Sequence, residues 1–274
     1  MSSSAQLNQW QVEGDTPLAY ERYLVPALFQ EAAEKLIQQA AIQPGERVLD
    51  LGCGTGIVAR VAAEHLGNGE NITGVDINPG MLDVARSVSA ETHPGIEWQQ
   101  GSAEDLPLAR SSFDVVLSQQ AFQFLENRET ALKEIHRVLR PGGRLVFSVF
   151  RSIEHNHTYR PLIEAFRRHG GDNLGTMMNS PFQEWTREGL RKMVTGAGFT
   201  QADIMISLVT ARFPTVPDYI QQELSSSPLS ELVSTMEDDV RQAIARDTSA
   251  GLSDYIDDRG VMHPLQTYLV TARA

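Results

Sequence analysis

Val48-Leu49-Asp50-Leu51-Gly52-Cys53-Gly54-Thr55-Gly56 joins an apolar run holding one acid to three glycines at alternate positions. Arg47 to Leu51, entered after Pro44-Gly45, has the make-up of a short buried strand, and Ile57, Val58, Val61 and Ala62 follow at helical spacing. The stretch predicts strand, tight loop, helix. The unit then repeats. Asn71 to Ile77 predicts a second strand, with Asn78 as N-cap, Pro79 at the first helical position, and Met81, Leu82 and Ala85 inside the helix. Strands near Ile96–Gln99, Asp114–Ser118 and Arg144–Phe150 alternate with helical segments. Of these, Arg128 to Leu139 carries Leu132, Ile135, Val138 and Leu139 and stops before Pro141-Gly142-Gly143. Such alternation predicts an α/β fold: a doubly wound, mostly parallel sheet covered on both faces.

Upstream, Leu28, Ala32, Leu36, Ala40 and Phe29, Ala33, Ile37, Ala41 recur every four residues, predicting an amphipathic helix from Pro26 to Ala41. Beyond Phe150 the rhythm changes. A polar stretch Arg151–His157, a helix near Tyr159–His169 and a Gly/Met/Asn-rich connection to Pro181 predict an insertion over the sheet, a helical lid. A helix from Arg187 to Thr195, a β-rich run Ile204–Phe213, an acidic helical segment and a last strand Gln266–Thr271 complete the chain. The predicted organisation is an N-terminal helical arm (1–44), a ligand-binding core (45–150), an insertion or lid (151–185), a continuation of the core (186–213), an acidic helical insertion (214–260) and a final strand (261–274).

Spacing decides the ligand class. A dinucleotide fingerprint places its third glycine three residues after the second so that a pyrophosphate meets the helix N-terminus, and here that position is Ile57. Asp50, at the strand's carboxyl end, would repel phosphates and suits a cationic ligand. Asp76 ends the next strand, twenty residues beyond Gly56, where a carboxylate reaches the two hydroxyls of a ribose. A nucleoside lacking pyrophosphate but carrying a positive tail describes S-adenosyl-L-methionine.

On these motifs the chain resembles a class I S-adenosylmethionine-dependent methyltransferase. It is similar to the small-molecule branch related to ubiquinone/menaquinone biosynthesis methyltransferases (methyltransferase type 11). The matching stretches are VLDLGCGTG at 48–56, GVDINPGML at 74–82, GSAEDLPLARSSFDVVLSQQAFQFL at 101–125 and ALKEIHRVLRPGGRLVFSVF at 131–150. The resemblance implies a seven-stranded sheet with its last strand inserted antiparallel. It implies that Gly52, Cys53, Gly54 and Gly56 wrap the methionine part, with Asp50 near its ammonium. Asp76 would bind the ribose, Ile77 would lie against the adenine, and Met81 joins the cofactor set. Ala103 and Glu104 would pass the adenine edge, and Gln119 would face the methionine part. Ser102 stands where the family often has an aspartate that accepts from the adenine amino group; a hydroxyl also accepts, so shifted recognition is expected there.

The 274 residues, 41% hydrophobic and 21% charged, make a soluble globular chain. With one cysteine, Cys53, and no Cys/His cluster at zinc spacing, neither a disulfide framework nor a metal is expected. No apolar run is long enough to span a bilayer and no leader is recognisable, so a cytoplasmic protein is expected. The formal net charge of −12, with ten acids against three arginines between Pro214 and Gly260, argues against nucleic acid as a partner. The expected partner is a small-molecule substrate, the product of the cofactor is S-adenosyl-L-homocysteine, and the expected state is monomer or homodimer.

Methyl transfer from a sulfonium releases a neutral leaving group, so orientation dominates and a base helps only when the acceptor carries a proton. His155 and His157, in the loop after the fifth strand, and Tyr20, before the first helix, are the candidates for that chemistry. Tyr23, Phe122 and Met177 are the candidates for the acceptor pocket, in a group with Phe124, Met178, Phe182 and Trp185. Arg151 and Arg160 are alternatives for an acidic acceptor group. His136, on the amphipathic helix, and Cys53, in the loop, read as structural. The expected activity is methyl transfer to an O, N or C nucleophile of a small, partly apolar acceptor, quinone-type or a secondary metabolite. A cofactor-binding scaffold or sensor without transfer, and a nicotinamide oxidoreductase disfavoured by Ile57, are the competing classes.

Overall fold

The computed structural model describes residues 12–230 and 235–274. Residues 1–11 of the expected arm and 231–234 of the acidic segment, Glu231 among them, lie outside the described residues. Every residue of β1 (Val48–Leu51) is buried, as befits a continuous apolar run covered on both faces. β1 pairs in parallel with β2 (Ile72–Asp76) on one side and β4 (Phe113–Gln119) on the other. Parallel pairs of β2 with β3 (Glu97–Gln100) and of β4 with β5 (Leu139–Phe150) extend the sheet. The helix expected to stop before Pro141-Gly142-Gly143 ends at Val138, and those residues then lie within β5: between Phe113 and Val115 the register jumps from Leu139 to Arg144, a bulge that Gly142 permits at φ +80°.

With β6 at Thr200–Phe213 and β8 at Gly260–Arg273, the strand order is β3-β2-β1-β4-β5-β8-β6. β8 runs against β5, since Arg151 N donates to Gln266 O while Gly142 N donates to Ala274 O. A two-residue β7, Ile256–Asp257, also pairs with β8, so the sheet has eight strands where seven were expected. The addition is the short arm of a hairpin whose corner residue, Gly260, adopts φ +104°.

Two compact bodies make up the chain. The first comprises Phe29–Val149, Trp185–Ser207 and Thr267–Ala274. Its helices α1 (Gln30–Ala40), α2 (Ile57–Leu66), α4 (Arg128–Val138) and α7 (Arg187–Gly196) bury their apolar stripes in two cores, and α3 (Pro79–Ser89) buries Leu82, Val84 and Ala85. Neighbours along a strand part company between them: Leu49 and Val116 join Phe122, Leu132 and Phe147, whereas Val48 and Val115 join Leu36, Val58 and Ala62. Asn78 caps α3 by accepting from Met81 N, with Pro79 at the first helical position, as predicted.

The second body comprises the residues up to Leu28, Phe150–Glu184 and Leu208–Gln266. It holds α5 (Arg160–Ala165), α6 (Asp172–Asn179), α8 (Val216–Ser225) and α9 (Asp238–Gly251). The Gly/Met/Asn-rich connection is thus helical. Its Gly175 is a packing residue, since an added Cβ would run into the Arg167 stem. The expected Pro26–Ala41 helix also differs: it begins at Thr16, with a proline in its first turn, and runs as a wide π-type helix over Tyr20–Phe29, with Pro26 inside, before the regular turns of α1. In the second body Tyr159, Phe213, Tyr219 and His263 form a buried ring cluster, with Tyr219 and His263 4.1 Å apart. Glu223 accepts the Tyr159 hydroxyl at 2.5 Å.

Phe122 is fully buried and stacks on Phe147 at 4.2 Å between centroids. Phe122→Ala is expected to lower the unfolding free energy by about 3–5 kcal/mol, measured by chemical denaturation.

Candidate cofactor site

The strand order reverses at β1, whose neighbours are β2 and β4, so the chain leaves the carboxyl ends of β1 and β4 in opposite directions. That switch point is where open α/β sheets take ligands. The glycine corner lies there. Gly52 N and Cys53 N both donate to Val75 O, at 2.8 and 3.1 Å, and Gly54 N donates to Asp76 Oδ2 at 2.8 Å. Gly52 stands at φ +66° with Ala121 Cβ 2.5 Å from where its own would be, so no side chain fits. Gly56, at φ +86°, opens α2.

Asp76 is held from two sides: its Oδ1 accepts from Asn78 N at 2.8 Å, and its Oδ2 takes Gly54 N. Burial pushes its carboxyl up, opposed by backbone donors from Asn78, Gly54 and Ile77. Three backbone donors leave about one of the carboxylate's roughly four acceptor sites for a ribose hydroxyl. Beside it Ile77 is 54% exposed, an apolar surface open to a flat partner. Gly101 N donates to Asp76 O, which sets the following segment alongside. There the Ser102 hydroxyl accepts from Glu104 N at 3.1 Å, and Glu104 Oε1 accepts from Asn127 N at 2.7 Å. Ala103 packs on the core, and Met81 is half-buried in the first turns of α3.

Asp50 is 1% exposed. Its Oδ2 accepts from Ala59 N in the first turn of α2 at 3.0 Å, and its Oδ1 has no hydrogen-bond partner among the described residues. Burial pushes this carboxyl up to about 7, with the Ala59 amide pulling down and Asp76 adding to the rise. Gln119, at the end of β4, donates through Nε2 to Phe29 O at 3.1 Å, and its buried Oε1 has no hydrogen-bond partner among the described residues. Both orphaned atoms are acceptors. A donor-rich ammonium would satisfy them, whereas a phosphate, which only accepts, would not. These residues fit S-adenosylmethionine.

Burial, with Asp76 and Asp50 close by, pushes the Cys53 thiol well up, so it stays protonated as a small filler of the loop. Among the described residues no group of His, Cys, Asp and Glu could hold a metal ion. Trp98 of β3 escaped the sequence reasoning. Its half-buried indole lies against Gly56 and Gly74, and the signal for it was Gly74 in mid-strand, which marks a close approach by a neighbour.

Phe122 does not line a pocket: it is a core residue between sheet and helix, packed on Phe147. Trp185 belongs to the same body, with Arg128 over its ring at 4.6 Å, while Met177, Met178 and Phe182 are buried in the second. Phe182 packs its ring on Phe150 and Tyr159. Tyr20 and Tyr23 are half-buried in the wide helix of that second body. His155 is exposed and its Nε2 takes a guanidinium hydrogen of Arg151 at 2.7 Å, which occupies the lone pair a base would use. His157 is exposed and pairs with the Tyr255 hydroxyl at 2.5 Å. Arg160 pairs with Glu154 at 2.8 Å. His136 packs edge-on against Phe199, a structural place as expected.

Residues 49–147 match the family model described as a methyltransferase domain. The chain is 30% identical over 196 residues to the demethylmenaquinone methyltransferase of Symbiobacterium thermophilum, covering 64% of this chain and 76% of that protein. It is 38% identical over 122 residues to the malonyl-[acyl-carrier protein] O-methyltransferase of Serratia marcescens, where it spans less than half of each (44% and 45%). Among solved structures, the phosphoethanolamine N-methyltransferase 2 of Haemonchus contortus, in complex with S-adenosyl-L-methionine, shares the fold at TM-score 0.55 and 18% identity, covering 89% of this chain and 52% of that one.

Asp76→Ala is expected to weaken S-adenosylhomocysteine binding about 10- to 100-fold by calorimetry, the loss of a charged hydrogen-bond partner. A second expectation follows from Asp50. Because only its ionised form pairs with an ammonium, affinity should fall as pH drops below about 7, roughly tenfold per unit at the limit. Asp50→Asn, which still accepts the Ala59 amide, should flatten that dependence between pH 6 and 8.

Proposed function

Since the chain belongs to the class I S-adenosylmethionine-dependent methyltransferases, we propose that it moves a methyl group to a nucleophile on a small, partly apolar acceptor of the quinone-precursor or phenol type. When bound, S-adenosylmethionine supplies an electrophilic methyl on a cationic sulfur. The observation that carries the cofactor half is the pair of orphaned acceptors, Asp50 Oδ1 and Gln119 Oε1, beside a carboxylate held by two backbone amides. In this reading Asp76 and Ile77 hold the nucleoside, while the glycine corner and Asp50 orient the amino-acid part. Orientation is the larger part of catalysis for such a transfer.

The acceptor half is supported more coarsely. A demethylmenaquinone methyltransferase and a ubiquinone/menaquinone biosynthesis C-methyltransferase are among the relatives matched over two thirds or more of their own length. The net charge of −12 disfavours a polyanion. Met177 and Met178, buried in the second body, are side chains of the adaptable apolar kind that a ring system would call for. Among the described residues no helix is long and apolar enough to cross a membrane, and we place the protein in the cytoplasm as part of the proposal. His157 is the better of the two candidate bases, because the Tyr255 hydroxyl can give or take a proton where Arg151 can only give one.

Incubation with labelled S-adenosylmethionine and a panel of hydroquinones, phenols, amines and carboxylates should release S-adenosylhomocysteine fastest with the hydroquinones or phenols. A panel-wide failure despite tight cofactor binding would favour a scaffold or sensor. His157→Ala is expected to lower kcat about 100-fold or more with cofactor affinity unchanged, and His155→Ala to have little effect. Full turnover in both variants removes the histidines from the chemistry.

A further inference from the structure

We propose that Trp98 is a positioning residue for the cofactor, a wedge that sets the glycine corner at the height its ligand needs. The inference rests on the assignment of that corner and Asp76 to the cofactor. Trp98 stands beside Gly74 in the parallel register of β2 and β3. A Cβ on Gly74 would overlap the indole, and its next neighbour would be Cys53 Sγ at 3.2 Å. A Cβ on Gly56 would overlap the same ring, with Trp98 Cζ3 and Cζ2 at 2.9 and 3.1 Å. One ring therefore fills the space left by two glycines that are 18 residues apart in the chain. Both glycines belong to the cofactor region: Gly56 ends the corner and Gly74 lies two residues before Asp76.

The far edge of the ring is anchored. Trp98 Nε1 donates to Ser89 Oγ at 3.1 Å, and that hydroxyl, on the last residue of α3, in turn donates to Ala85 O at 2.7 Å. Arg86 of the same helix reaches Trp98 O. The indole thus spans from α3, which begins at Pro79 just after the Asn78 cap, to Gly56 at the cap of α2. Removing it would leave a ring-sized space under Gly56 and Gly74, into which the corner can sag. A binding loop held even an ångström too loosely loses affinity because the ligand must then order it.

The test is the affinity of the folded variants for two probes, S-adenosylhomocysteine and adenosine, measured by calorimetry well below each melting temperature. Trp98→Ala is expected to weaken S-adenosylhomocysteine about 10- to 30-fold, and adenosine, which lacks the amino-acid part that meets the corner, by less than about threefold. Gly74→Ala, whose methyl displaces the ring, is expected to weaken S-adenosylhomocysteine too, and combined with Trp98→Ala to add less than about twofold. Ser89→Ala should cost about threefold. The inference is overturned by S-adenosylhomocysteine binding within about twofold of the wild type in Trp98→Ala, by equal losses for both probes, or by additive losses in the double variant. Where Trp98→Ala does not fold, Ser89→Ala and Gly74→Ala carry the test, and unchanged affinity in both overturns it. Asp76→Ala is the separate control: if it binds both probes as the wild type does, the crevice itself is misassigned.

Discussion

The hydrogen bond from Gly54 N to Asp76 Oδ2, 2.8 Å long, joins the loop after β1 to the end of β2, and the candidate site is arranged about it. It asks for a corner whose backbone turns left-handed at Gly52, Gly54 and Gly56, and at Gly52 and Gly56 a Cβ would also collide with Ala121 and Trp98. It also asks that Asp76 be ionised or nearly so, and burial works against that. Three backbone donors answer the burial, so the same contacts that shape the loop keep the carboxylate able to accept from a ligand. Shape and charge are here one constraint: a loop that moved would lose both.

Much of the first body was legible because its signals are local. The glycine corner, the Asn78-Pro79 helix start and the buried strands β1 and β4 follow from residues adjacent in the chain. So does the choice of cofactor, since Ile57 at the third fingerprint position and Asp50 at the strand end both speak against a pyrophosphate. What stayed hidden depends on pairs far apart. Whether Phe122 faces a cavity or Phe147 is settled by the register of β4 on β5, which the sequence does not print. Trp98 gains its place only when β3 pairs with β2. Pro141-Gly142-Gly143 marks the helix end correctly, but that the strand already starts at Leu139 and bulges through these residues depends on Arg144 meeting Val115.

The second body was read less well, for a different reason. Its segments come from three separated parts of the chain, and its core is built of rings with polar edges rather than of a periodic apolar stripe. Met177 and Phe182 look the same in sequence whether they touch a ligand or one another. The structure buries Phe182 against Phe150 and Tyr159, contacts that no spacing rule anticipates.

Two buried acids are pushed by burial to about 7, Asp50 and Glu223, while burial pushes His263 down to about 3. The signs oppose each other. For the two acids, stability declines as pH rises from the ordinary carboxylate range toward 7, because the unfolded chain ionises first. For His263, stability declines as pH falls below about 6.5, because the unfolded ring gains a proton that the folded one refuses. The chain is thus squeezed from both sides near neutrality, and the two acids differ in what relieves them. Glu223 has only the Tyr159 hydroxyl within its own fold. Asp50 keeps Oδ1 without a hydrogen-bond partner among the described residues, at a strand end where ligands of such sheets bind, so a bound cation there would relieve it. An acid buried at that place weakens the empty protein, and the ammonium of the proposed cofactor is the partner that would offset it.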